Sequence, residues 1–105
     1  MTLSQFKTML ASTNYPVAYE HFPETDAPTM PFICYAAVGS NNFGADGIVY
    51  EKGTMLQVQL FTNTKDEVAE ATLEAVFEDN RIYWENTGEY NEDELCYRVI
   101  YEVQI

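Results

Sequence analysis

The residues able to do chemistry are few and scattered along the chain. His21 is the single histidine among 105 residues, so a multi-histidine metal site is excluded. As the base of a nucleophile–base pair it would need a partner motif, and the chain has no Gly-x-Ser-x-Gly elbow and no cysteine-rich run. A strand histidine satisfied by local hydrogen bonds is the simpler reading. Cys34 and Cys96 stand on separate expected strands; they read as reduced thiols, Cys34 as a small core residue, and a disulfide stays open only if their strands pair. Gly39, Gly44 and Gly47 do not fit the dinucleotide fingerprint, and there is no P-loop. Asn91-Glu92-Asp93-Glu94 lacks the spacing and central glycine of a calcium loop and reads as a solvated hairpin end. With seventeen acids, carboxylate pairs can be drawn almost anywhere, so none marks an acid–base site. The expectation is a non-enzyme with no catalytic residues, cofactor or metal.

Charge narrows the partners. Five Lys and Arg against seventeen Asp and Glu leave a net charge of −12. Phosphate backbones are bound by cations that displace counterions, so direct nucleic-acid binding is not expected, and an anionic membrane surface is disfavoured for the same reason. No apolar run approaches the length of a membrane span, and the N-terminus lacks a basic segment followed by a hydrophobic one. The acidity is regional: residues 66–94 hold eleven acids and one base, Arg81. That stretch is either a solvated face or a patch that steers a basic partner or repels like neighbours.

The elements that must position these residues fit one domain over 1–105, since 47% hydrophobic residues at this length suit a single core. Thr2 and Gln5 have capping-box spacing ahead of a helix whose Leu3, Phe6 and Leu10 share a face, ended by Asn14 and Pro16. Pro16–Phe22 reads as a strand, Pro23–Pro31 as an irregular proline-rich loop, and Phe32–Val38 as a buried strand. Gly39–Gly47 is dense in turn residues and reads as the tip of a long hairpin. The return strand runs from Ile48, pauses at Lys52-Gly53, and continues over Met55–Thr62. Thr64, with Glu67 three residues on, is the expected cap of a second helix. Its inward stripe is Val68, Ala69, Thr72, Leu73, Val76 and Phe77, with Glu67, Glu70, Glu74 and Glu78 mostly outward and Asn80 closing it. Ile82–Trp84 reads as a short strand, Asn86–Asp93 as a polar turn, and Leu95–Ile105 as a long alternating strand. The expected fold is α+β: an antiparallel sheet of four to five strands with two helices on one face, in the order α-β-β-β-α-β-β.

The second face of that sheet is informative. Met55, Gln57, Gln59 and Phe61 on one strand, and Cys96, Arg98, Ile100 and Gln104 on another, make a mixed surface poor in Lys and Glu, closer to an interface core than to a solvated face. The alternative is that loops or the proline-rich segment cover it within the monomer. At the hairpin tip, Asn41, Asn42, Phe43 and Asp46 are the candidate contacts, because a phenylalanine on a polar tip can anchor in a neighbour's pocket. Phe43 folding back on its own hairpin is the competing reading.

Taken together, Pro16-Val17-Ala18-Tyr19…Phe22, Ala27-Pro28…Pro31-Phe32-Ile33…Tyr35, Asn41-Asn42-Phe43-Gly44-Ala45-Asp46-Gly47…Val49-Tyr50, Leu60-Phe61-Thr62…Lys65-Asp66 and Tyr97…Tyr101-Glu102 resemble small structural proteins of siphophages and prophages of Gram-positive bacteria. These belong to the head–tail connector and tail module, and the most similar family is the tail terminator. The likeness covers almost the whole chain; its most specific piece is the asparagine-rich Phe-Gly-Ala-Asp-Gly hairpin followed by a tyrosine. It implies a virion protein assembled in the bacterial cytoplasm. It also implies a ring of self-copies, typically six, on the head-proximal end of the tail tube, with tail tube protein and neck or connector proteins as partners. A free monomer before assembly is compatible with it. The family has no catalytic residues to carry over. The alternatives are a tail-completion or neck-joining protein of the same module, or an acidic inhibitor that mimics DNA.

Overall fold

In the computed structural model, residues 1–23, 28–40, 43–45, 47–51 and 53–105 are described, with 43–45 and 48–51 as backbone only. The chain runs α1 (Leu3–Ala11), β1 (Val17–Tyr19), β2 (Phe32–Ser40), β3 (Phe43–Ala45), β4 (Ile48–Glu51), β5 (Thr54–Thr62), α2 (Glu67–Asp79), β6 (Trp84–Asn91) and β7 (Cys96–Gln104). Five strands form one sheet in the order β1-β2-β5-β7-β6, and β3 and β4 pair as a separate two-stranded ribbon. The α+β class holds.

Alternation builds the core. Leu56, Val58 and Leu60 of β5 and Val99, Tyr101 and Val103 of β7 point to one face and are buried. The register sets Leu60 against Val99 and Val58 against Tyr101. Both helices lie on this face. Phe6 of α1 meets Tyr35 at 5.9 Å and Phe77 of α2 at 6.4 Å between ring centroids, and Phe77 meets Tyr101 at 5.6 Å. The capping box of α1 is present: Gln5 N–H donates to Thr2 Oγ1 at 3.1 Å, and Thr2 N–H donates to Gln5 Oε1 at 2.9 Å.

Several expectations are corrected. The sheet is mixed, because β1 pairs in parallel with β2, Val17 opposite Ile33. β1 also stops at Tyr19, since Glu20 turns to φ +66°, a conformation that breaks a strand. The hairpin tip is shorter than expected: Gly39 and Ser40 stay in β2, opposite Met55 and Thr54. The helix α2 is capped by Asp66 rather than Thr64, the Asp66 carboxylate accepting from Ala69 N–H at 3.0 Å. That frame leaves Val68 exposed and turns Glu70 inward. At the other end, Ile82 N–H donates to the Phe77 carbonyl at 2.8 Å and Arg81 N–H to the Glu78 carbonyl at 3.0 Å. This is a Schellman motif with Arg81, at φ +57°, where glycine is usual. Finally, the expected polar turn Asn86–Asp93 is mostly strand β6, and the true turn is Glu92–Leu95. Asn91 Oδ1 accepts from Asp93 and Glu94 N–H there.

Candidate interaction surface

The sheet's two faces are treated differently, and the parallel β1–β2 pair is the cause. A parallel pair needs a crossover that carries the chain back along a sheet face. With the helices on one face, Phe22 before the crossover and residues 28–32 after it lie on the other, residues 24–27 being outside the described residues. Phe22 packs edge-on against Phe32 at 5.3 Å, and Phe32 stacks on Phe61 at 4.9 Å. Pro28, Thr29 and Met30 line a shallow depression with Phe32, Phe61 and Cys96. The described end of the proline-rich segment, residues 28–30, therefore does cover part of this face, at the β2 side and the Phe61 end of β5.

The remainder has no helix over it. Cross-strand register brings the expected residues into rows: Met55 beside Gln104, Gln57 beside Glu102, Gln59 beside Ile100, and Phe61 beside Arg98. Gln57, Gln59, Phe61, Arg98 and Ile100 are all half-buried, and Met55 is exposed. Six of the ten candidate residues thus form one patch. Arg98 is not a free cation within it, because its guanidinium pairs with Glu89, its neighbour across β6. Of the hairpin candidates, Asn41, Asn42 and Asp46 lie outside the described residues. Phe43 opens β3, its backbone opposite Glu51.

The reactive groups do not converge. His21 follows β1 rather than lying within it, and is exposed. Cys34 and Cys96 are free and buried. The strand β5 lies between theirs, and Cys34 aligns through Gln59 with Ile100, four residues from Cys96. At roughly 3.3 Å per residue and 4.8 Å per strand the two cannot bridge. Burial pushes both thiols up from their ordinary range, opposite to what a reactive cysteine needs. Among the described residues no group of three or more His, Cys, Asp or Glu could hold a metal ion.

On the helix side, sequence reasoning missed two inward carboxylates. Glu70 is 7% exposed and held by Lys65, whose Nζ stands 2.8 Å from each carboxylate oxygen. The Tyr101 hydroxyl, fully buried, donates to Glu74 Oε2 at 2.6 Å. Lys65 also lies 5.4 Å from the centre of the Tyr97 ring. Glu70 and Glu74 are spaced four apart, on the stripe of Leu73 and Phe77. The lone basic residue just before the helix was the available signal that one of them is neutralised.

No protein-family model matches the chain, and no curated protein matches it.

Proposed function

We propose that this protein is a structural assembly protein of a phage tail, a tail terminator that forms a ring on the head-proximal end of the tail tube. In that role it stops tube polymerisation and offers the neck a joining surface; no catalytic step or cofactor enters this reading, and its place is the virion. The observation that carries it is the patch of half-buried Gln57, Gln59, Ile100 and Arg98 with exposed Met55, on the sheet face that no helix covers among the described residues. The patch has no lysine and sets Met55 and Ile100 among neutral glutamines, a mix that suits an interface core, with Glu102 beside Gln57 in the same row. A cyclic ring requires a patch that meets a different patch on the next copy, and the β3–β4 ribbon is the candidate complement. The resemblance of the sequence to siphophage tail proteins supports the station, and the patch supports assembly through this face.

The test is electron microscopy of siphophage tail tubes incubated with this protein, with light scattering across concentration and salt. Wild-type protein is expected to cap one tube end and limit tube length. The Ile100→Asp variant, which puts a charge on the patch without touching the helix side, is expected to keep its thermal unfolding and lose capping. Tubes of unaltered length with no bound protein would refute the reading. Binding to the portal-side complex in place of tube ends would assign the neck-joining role instead.

A further inference from the structure

A second surface is independent of that patch. The strand β6 is the last in the sheet order, so among the described residues one of its edges has no partner strand. Its eight residues pair with β7 without interruption, Trp84 opposite Val103 through Asn91 opposite Cys96. Among the described residues, no backbone bond outside that ladder uses residues 84–91. In an antiparallel pair about half the backbone groups point away from the partner, so a row of donors and acceptors runs along roughly 26 Å of open edge. Proteins usually blunt such an edge with proline, lysine, a bulge or a covering loop. The strand β6 contains neither proline nor lysine, its register has no shift, and residues 85–91 are all exposed.

Charge selects the occupant. On the face away from the helices β6 presents Glu85, Thr87 and Glu89. Glu85 stands directly opposite Glu102, and like charges so placed across strands are destabilising. A second copy adding its own β6 would set glutamate against glutamate, so self-pairing is opposed. A strand carrying Lys or Arg would relieve the Glu85–Glu102 repulsion. On the helix side the same edge offers Trp84, Gly88 and Tyr90, and Tyr90 is 51% exposed, while Tyr83, just before the strand, donates its hydroxyl to Glu85 Oε1 at 2.8 Å on the other face. Exposed tyrosines are typical anchors of interfaces.

We infer that β6 is an acceptor edge for an extended segment of another protein, one that alternates basic and apolar residues and adds as a sixth strand. The basic side chains would face Glu85 and its neighbour Glu102, Glu89 being already paired with Arg98, and the apolar ones would pack along Gly88 and Tyr90. This pairing requires no ring, so it stands or falls apart from the terminator reading.

The probe is an acetylated, amidated octapeptide alternating Lys and Val, titrated into the full-length protein and followed by amide NMR shifts and hydrogen exchange. Shifts and slowed exchange are expected along residues 84–91. Binding is expected to weaken at least tenfold for the same peptide N-methylated at every residue, which keeps the charge and removes the donors. A Glu–Val peptide is expected not to bind, and Glu85→Lys is expected to weaken the Lys–Val peptide several-fold and admit the Glu–Val one. Absence of binding at millimolar peptide, equal binding of the N-methylated peptide, shifts centred on α2, or indifference to Glu85→Lys would each overturn the inference.

Discussion

Gly88→Ala is expected to destabilise the fold, against the usual rule that alanine is better than glycine in a strand. The ring of Tyr97 leans diagonally from β7 over Gly88 of β6, where it fills the space a side chain would take. A Cβ built on Gly88 would lie 2.1 Å from the Tyr97 hydroxyl oxygen and 2.9 Å from Cζ, so the ring must move. Overpacking of this kind costs about 1–3 kcal/mol. Displacing the ring also removes the contact with Lys65, a small further loss. Against this, replacing glycine in a strand contributes about 0.5–1 kcal/mol through lost chain entropy. The net is a destabilisation of about 1–3 kcal/mol, a fall on the order of 1 M in the urea midpoint for a small protein. The decisive assay is urea unfolding in two backgrounds. With Tyr97→Ala already in place the clash is gone, and Gly88→Ala is expected to change sign and stabilise by about 0.5–1 kcal/mol. Gly39→Ala is the control, since a Cβ there meets nothing within 4 Å. A higher midpoint for Gly88→Ala in the parent, or an equal loss in both backgrounds, would refute the reasoning.

Other outcomes follow from the same contacts. Asp66→Ala is expected to cost about 1 kcal/mol and Thr64→Ala much less, because the Asp66 carboxylate caps α2; equal losses in chemical denaturation would return the cap to Thr64. Arg81→Gly is expected to raise stability by about 0.5–1 kcal/mol by relieving a side chain held at positive φ, and an unchanged or lower melting temperature would count against it. Tyr101→Phe is expected to cost about 1–2 kcal/mol at neutral pH, since it removes the hydrogen bond to a half-buried Glu74 that water can partly replace. Burial first, then the bond to Glu74 and its charge, hold the Tyr101 hydroxyl protonated well above the usual tyrosine range. Its contribution is therefore complete below about pH 10, the unfolded value, and lost as pH rises beyond that. The variant should accordingly lose less stability than the parent in the alkaline range, and parallel alkaline profiles would contradict this.

Much of the fold and of the candidate surface is legible locally. Thr2 and Gln5 specify a capping box from their spacing alone, and the alternation of β5 and β7 assigns each residue to a face. That alternation is why Met55, Gln57, Gln59, Phe61, Arg98 and Ile100 could be placed on one surface before any register was known. The edge strand β6 was hidden because both its faces are solvated, so Asn86, Thr87, Gly88 and Glu89 show neither alternation nor an apolar run. Glu70 and Glu74 were misplaced because helical periodicity by charge assumes every carboxylate seeks water. Here a lysine ahead of the helix and a tyrosine on β7 provide the partners.

By itself the sequence determined what depends on neighbours along the chain: helix ends, strand faces, the α+β class and a regional excess of negative charge. Tertiary structure alone decided that β1 runs parallel to β2, and that Phe22 and residues 28–30 lie over part of the second face. It also decided that β6 ends the sheet and that two carboxylates turn inward. These are outcomes of pairings between distant segments, set by burial and by satisfaction of polar groups across the chain, and no short-range periodicity encodes them.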